Sequence, residues 1–256
     1  LQWLELALAR LGLQLRGHFL VRPEDGLAAP DPLTNYLLVL IGNVGSDFWP
    51  FFANSEEFQD GQAHPLDRWS LRIGSELASQ CRGQAFYPFG GPPHYSFLRW
   101  AAKAEALGAS PMGLRLHPKF GLWHAYRFAL QIPFVEEASE PGAKTNLNDE
   151  VTSPSMLSEV CLSCSTQACL KTCPVNAFTI EGYDVETCAR YLHTAQDQGR
   201  TTACAAASCQ ARLACPVGEN YRYTTAHGQF HMRQFMQTHR PPGTASVLPP
   251  PLPDPS

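Results

Sequence analysis

The chain has 256 residues, 44% of them hydrophobic, with a formal net charge of −4 and a pI of about 6.1. That length suits one large domain, or a domain with a small module. The mild charge and the absence of a long Lys/Arg run argue against a nucleic-acid partner. No stretch reaches the roughly 18 apolar residues of a membrane span, so no membrane partner is expected either.

Leu1 to Val21 is leucine-rich but broken by Glu5, Arg10 and Arg16. It lacks the basic start, apolar run and small-residue cleavage site of a signal peptide, and reads as an amphipathic helix leading into a strand. A chain that begins at Leu1 leaves room for a removed leader. Tyr36–Val44 is a short apolar run that suits a buried strand. Over 66–81, Leu66, Trp69, Ile73 and Leu77 share a helical face. Residues 85–88 read as a short strand running into the loop 89–93, which is Gly- and Pro-rich. Residues 95–107 are again helical, with Phe97, Trp100, Ala101 and Ala104 inward and Arg99, Lys103 and Glu105 outward. Residues 114–117 and 122–133 look like two strands of an antiparallel hairpin joined by Pro118-Lys119-Phe120-Gly121.

Residues 1–138 thus read as one α+β domain. Residues 139–158 are polar with Pro and Gly and form the expected linker. A cysteine module spans 159–237. The tail, 238–256, has 7 Pro among its last 16 residues and reads as extended.

Cysteine placement carries the most information. Only Cys81 precedes residue 160, and it ends an amphipathic helix as a buried apolar residue would. The remaining eight lie between Cys161 and Cys215. Thiols clustered beside a cysteine-poor domain suggest metal in a reducing compartment, hence a cytoplasmic protein, rather than disulfides. The first run is Cys161-x2-Cys164-x4-Cys169-x3-Cys173-Pro174. The second is Cys204-x4-Cys209-x5-Cys215-Pro216, and Cys188 stands between them. Each iron of a cubane cluster takes one soft anionic ligand, so eight thiolates suit two 4Fe–4S clusters. In two-cluster ferredoxins the fourth cysteine of a run serves the other cluster. That rule groups Cys161, Cys164 and Cys169 with Cys215, and Cys173 with Cys188, Cys204 and Cys209. Two four-cysteine zinc sites would use the same residues. Disulfides are the third reading.

A ferredoxin-like module beside a larger domain implies that electrons are delivered somewhere. The stretch 117–127 gathers His117, Phe120, Gly121, Trp123, His124, Tyr126 and Arg127. Strict alternation puts Trp123, Ala125 and Arg127 on one strand face and His124, Tyr126 and Phe128 on the other. Either face could line a flat aromatic pocket. The competing reading is a well-packed hairpin with satisfied polar groups.

The segment LHPKFGLWHAYRFALQIP at 116–133 resembles the HPxFGxW segment of CblC-type cobalamin-processing proteins. Reductive dehalogenases and epoxyqueuosine reductases have a similar strand-turn-strand. The cysteine module resembles those two reductase families, with Asp184-Val185-Glu186-Thr187-Cys188-Ala189-Arg190-Tyr191-Leu192 between two Cys-Pro-ended runs. The resemblance implies a nitroreductase-like α/β sandwich followed by a small bacterial-ferredoxin-like domain with two 4Fe–4S clusters. It implies a redox protein, an oxidoreductase, with cobalamin as the leading further cofactor. His117, Phe120, Gly121 and Trp123 match the HPxFGxW segment. The Glu-Arg…Gly-Lys-Asn segment of epoxyqueuosine reductases and an Asp-x-His-x-x-Gly motif are both missing, so activity on queuosine precursors or organohalides does not transfer. FMN is a weaker candidate, its phosphate resting on a convergence of Arg68, Arg72 and Arg99. Expected partners are a small-molecule substrate or corrinoid and an electron donor such as a flavodoxin or ferredoxin. The alternative is an electron-transfer or cobalamin-binding protein without substrate chemistry of its own.

Overall fold

The computed structural model describes residues 1–134 and 157–240. The expected linker lies outside the described residues except for Leu157 and Ser158, and the expected tail does so from 241 onward. The architecture is mixed α and β, with a small antiparallel sheet and helices. Packing divides it into two compact units, residues 1–107 with 124–134, and residues 108–123 with 157–240. Among the described residues no helix is long and apolar enough to cross a membrane.

The first unit contains, in chain order, α1 (Gln2–Ala9), β1 (Gln14–Leu20), β2 (Asn35–Val44), α2 (Trp49–Ala53), α3 (Glu56–Gln59), α4 (Pro65–Gln80), β3 (Gln84–Phe86) and α5 (Phe97–Ala104). The second begins with the two-residue strands β4 (Gly108–Ala109) and β5 (Arg115–Leu116), before β6 (His124–Phe134) returns to the first. The four-stranded sheet has the order β1-β2-β6-β3, antiparallel throughout. Strand β2 is buried from Tyr36 to Val44, as its mostly apolar run predicts. Helices cover both sheet faces. Phe97 and Trp100 of α5 pack on Phe19, Leu38, Leu40, Phe86 and Ala129. On the α4 side, Trp69 joins Phe48 and Phe52 in an aromatic group with centroids 5.8–6.0 Å apart. Gly74 lets the sheet approach α4, because a Cβ there would lie 3.1 Å from the Phe128 ring.

The hairpin expected at 114–133 does not form as a two-stranded unit. Only His117 and Gly121 bridge each other, while β5 pairs with β4 and β6 pairs with β2 and β3. The apolar pattern was right for two strands but could not say that each finds its partner elsewhere. Residues 108–123, read from sequence as part of the first domain, pack in the cysteine unit. Met112, Leu116 and Leu122 share a core there with Cys173, Ala177, Phe178, Ala211 and Cys215.

Two further expectations change. Glu105 and Lys103 do not point outward. Helix α5 ends at Ala104 and Glu105 is extended (φ −138°, ψ 152°), so the helical register no longer governs its direction. Lys103 reaches the buried carboxylate of Asp25 at 2.9 Å. The face alternation in β6 also fails. A register shift opposite Ile41/Gly42 leaves Arg127 as the extra residue, with Phe128 paired to Ile41 and Tyr126 to Gly42. Tyr126 then packs on the α5 side, while Arg127 lies over Phe48 and Phe128 beside Gly74 on the α4 side. Such a bulge reverses the period-2 pattern beyond it.

Candidate metal and redox site

The cysteines sit on a succession of short helices: α6 (Glu159–Leu162), α7 (Ala168–Lys171), α8 (Val185–Asp197), α9 (Ala203–Ala206) and α10 (Gln210–Leu213), closed by α11 (Thr225–Thr238). Local chemistry starts two of them. The Asp184 carboxylate accepts the Thr187 N–H at 2.9 Å and the Thr202 hydroxyl accepts the Ala205 N–H at 3.1 Å, both N-caps. Cys161, Cys169, Cys188 and Cys204 lie within helices, Cys209 caps α10, and Cys164, Cys173 and Cys215 stand in the adjoining turns.

Electrostatically, the thiols act on one another in two neighbourhoods. Cys161 is influenced by Cys215, Cys169 and Cys164, Cys169 by Cys215 and Cys164, and Cys215 by Cys164. In the other set Cys188 is influenced by Cys173 and Cys204, and Cys209 by Cys204 and Cys188. Cys161, Cys164, Cys169 and Cys215 line one cavity of about 190 Å³, with apolar walls from Pro111, Leu116, Val160 and Leu170.

Burial, reinforced by the neighbouring sulfurs, pushes Cys161 up to about 11. Burial also takes Cys209 to about 11 and raises Cys169, Cys188, Cys204 and Cys215. Cys164 is lowered, first by its hydrogen bond with the Thr166 hydroxyl. Backbone N–H groups oppose the burial. Ala177 N–H donates to Cys173 Sγ at 3.3 Å, Val217 donates to Cys215, Gln210 to Cys204, and Arg212 to Cys209. Thiols so buried carry charge only when a cation holds it, and the N–H donors suit sulfurs that become thiolates.

Among the described residues no three or more His, Cys, Asp or Glu side chains converge on a point that a single ion could occupy. A tetrahedral zinc site demands such convergence, with Zn–S of about 2.3 Å. A cubane cluster gives each thiolate its own iron, so its ligands surround a volume instead of meeting at a point. The donor set, clustered thiols beside a lined cavity, is of the kind that soft metal centres take.

The seven residues read as a cofactor pocket part into two groups. His117, Phe120, Gly121 and Trp123 belong to the cysteine unit. His117 Nδ1 accepts the N–H groups of Lys119 (3.0 Å) and Phe120 (3.2 Å), closing the turn, and its ring stacks on Phe120 at 4.3 Å. Trp123 is fully buried, and the Arg212 guanidinium lies against both its ring (4.6 Å) and that of Tyr223 (4.4 Å), two rings that themselves meet edge-on at 5.2 Å. Arg212 also donates to the Leu122 carbonyl. Gly121 has φ +60°, and a Cβ there would lie 1.9 Å from the Val217 carbonyl oxygen, two residues past Cys215. The turn is thus pressed backbone to backbone against the end of the second cysteine run. Gly121→Ala is expected to destabilise this unit by about 3 kcal/mol or more, from left-handed strain plus the clash. Gly26→Ala, at φ +73° with open space around it, should cost only the strain, about 1–2 kcal/mol. Urea titration of both variants checks the contrast.

His124, Tyr126 and Arg127 belong to the first unit. The Tyr126 hydroxyl donates to Glu105, and Arg16 grips that carboxylate through two 3.0 Å bonds while being only 1% exposed. Arg16 also donates to the Asn43 carbonyl at 3.3 Å, and Arg127 to the Asn43 side chain at 2.9 Å. Sequence reading missed Arg16 and Glu105. The one available signal was Arg16 at an inward position of a strand. Arg68, Arg72 and Arg99 do not converge. Arg68 binds Asp60, Arg72 binds Glu57, and Arg99 donates to the Glu24 carbonyl. Cys81 is half-buried at the α4 C-cap, its thiol directed at the Ala78 carbonyl and raised by burial.

No family model matches the chain, and no curated protein does. Among solved structures, a selenomethionine-labelled epoxyqueuosine reductase aligns with 14% identity over 89% of this chain and 68% of its own, with a TM-score of 0.37. At that level the likeness carries no conclusion about activity.

Proposed function

We propose that this chain is an iron–sulfur redox protein. In this reading Cys161, Cys164, Cys169 and Cys215 hold one 4Fe–4S cluster, and Cys173, Cys188, Cys204 and Cys209 hold a second. The observation that carries the reading is the gathering of eight thiols in one unit, four of which, Cys161, Cys164, Cys169 and Cys215, line a single cavity. Such clusters supply single electrons at low potential, down to about −400 mV or below. The protein's part is to exclude water from the thiolates, through Leu116, Leu122, Ala211 and Phe178, and to offset their charge with N–H dipoles.

The same reading makes the first unit, nitroreductase-like by resemblance, the place where an acceptor or substrate is met. A flavodoxin- or ferredoxin-type donor would supply electrons in the cytoplasm. Cobalamin is the leading acceptor through the resemblance. Of the residues expected to meet it, His124, Tyr126 and Arg127 are the ones that belong to the first unit. Anaerobically purified protein is expected to carry about eight irons and matching sulfide per chain, with a broad band near 400 nm. Two zincs and a colourless protein would overturn the cluster reading. Cobalamin added to the reduced protein should change the corrin spectrum, and an unchanged spectrum would remove cobalamin while leaving the clusters.

A further inference from the structure

The cavity that Cys161, Cys164, Cys169 and Cys215 line reaches the surface, because Val160 and Gln167 line it and are themselves exposed. Next to it on α6, Leu162 is 66% exposed, and Leu114, two residues before the lining Leu116, is exposed as well. A group of exposed apolar side chains beside a site marks an interaction face. The other four thiols lie deeper, with Cys173 and Cys204 both buried, whereas Cys161, Cys164 and Cys169 are all partly exposed. Charge sets the kind of partner that fits. The whole chain carries −4, yet the described residues of the cysteine unit hold nine Lys and Arg against six Asp and Glu. Two of these cations border the cavity. Lys171 ends α7, whose Ala168, Cys169 and Leu170 line it, and Lys119 stands in the turn that Gly121 seats against the lining Val217. Both lysines are exposed, and neither has an ion-pair partner among the described residues. Glu159, at the start of α6, is the one acidic residue on the two helices that line the cavity.

From the exposed apolar rim and the unpaired lysines we propose that this face docks an acidic single-electron carrier protein over the Cys161–Cys164–Cys169–Cys215 centre. The proposal rests on the cluster reading above, and adds to it the face and the charge of the partner. The step moves one electron. The reduced carrier is oxidised, the cluster is reduced, and no bond forms or breaks. Electron transfer weakens steeply with distance, so a carrier must sit over the centre nearest the surface. Redox encounters of this kind use small interfaces. Complementary charge steers the two proteins together, and a few apolar contacts then hold them briefly. A second copy of this chain fits the face less well. In a two-fold dimer the patch would meet itself, which sets lysine against lysine.

The test uses the full chain, purified anaerobically and analysed for iron, with a plant-type 2Fe–2S ferredoxin of acidic pI as the probe. Electron exchange between the two is followed by stopped flow, in whichever direction their potentials drive it, over a range of salt concentrations. The expected second-order rate constant falls steeply as salt rises. At low salt Lys171→Glu should lower it about tenfold, Lys119→Glu should lower it too, and Glu159→Lys should raise it. The variants should converge at high salt, where exposed charges are screened. Arg200→Glu makes the same charge change at an exposed cation away from the cavity, and should leave the rate nearly as it was. A rate indifferent to salt and to the three rim reversals, or lowered as much by Arg200→Glu as by Lys171→Glu, would overturn the docking face and leave the clusters standing. If Lys171→Glu loses iron, Lys119→Glu and Glu159→Lys decide by the same readout. A dimer in solution that Leu162→Glu splits would give the face to a second copy, which also overturns the proposal. Absence of iron from the unmodified chain would sink the cluster reading itself.

Discussion

Replacing Cys215 with Ala is expected to lower bound iron from about eight to about four per chain and to spare the centre formed by Cys173, Cys188, Cys204 and Cys209. Cys215 closes the second run in sequence, yet in space it acts on Cys161 and Cys169 of the first. Cys173→Ala should produce the complementary loss, although Cys173 closes the first run. Pairs of substitutions identify the sets without a structure, because residues that act as one unit do not add. Cys161→Ala combined with Cys215→Ala should lose no more iron than either alone. Cys209→Ala combined with Cys215→Ala should lose nearly all of it. If Cys215→Ala with Cys209→Ala retained half the iron, the crossed grouping would be wrong. The measurement is iron and sulfide per chain, with the spectrum of the remaining centre.

Arg16→Met is expected to destabilise the first unit by about 3–5 kcal/mol, the usual cost of leaving one member of a buried pair alone. Glu105 would lose its two 3.0 Å bonds from Arg16 and keep only the Tyr126 hydroxyl. The deficit should depend on pH. Burial already outweighs Arg16 and Tyr126 and holds Glu105 above the ordinary carboxylate value of 4.5. The folded chain therefore binds this proton more tightly than the unfolded chain, so this group's contribution to stability falls as pH rises above the unfolded value. Removing Arg16 widens that gap. The deficit of Arg16→Met should be largest at neutral pH and shrink as pH falls towards about 4.5. Glu105→Gln in the same background should flatten the dependence. Urea titrations at several pH values, each compared with the unmodified chain, supply the check, and a deficit independent of pH would mean that Glu105 is not the group left stranded.

The elements that sequence located were those whose signal is local. Leu66, Trp69, Ile73 and Leu77 lie on one face of α4 because a 3.6-residue period needs only neighbours to be read. Strand β2 is all but continuous in its burial, as its apolar run requires. Beyond such elements the reading failed where a partner had to be chosen. The run 114–133 contains strands, but β5 and β6 join different sheets. Glu105 follows a helix whose end carries no punctuation in the sequence, so its inward turn had no local sign. The bulge at Arg127 is a property of two strands together and cannot be written in one.

For the candidate site, residue type and spacing determined a great deal on their own. Eight clustered thiols with two Cys-Pro endings and one cysteine between the runs mark out a candidate donor set, because residue type and spacing are read within a short stretch of chain. Tertiary structure decided the rest. It brought Cys215 to the cavity that Cys161 lines and seated the 117–123 turn against Val217 through Gly121. It also committed Arg68 and Arg72 to carboxylates and buried Arg16 beside Glu105. The physical reason is the same in each case. Thiol chemistry and helical period are properties of a short stretch of chain, whereas close backbone approach, ion pairing and hydrogen bonds to sulfur depend on which distant residues the packed core brings within about 3 Å.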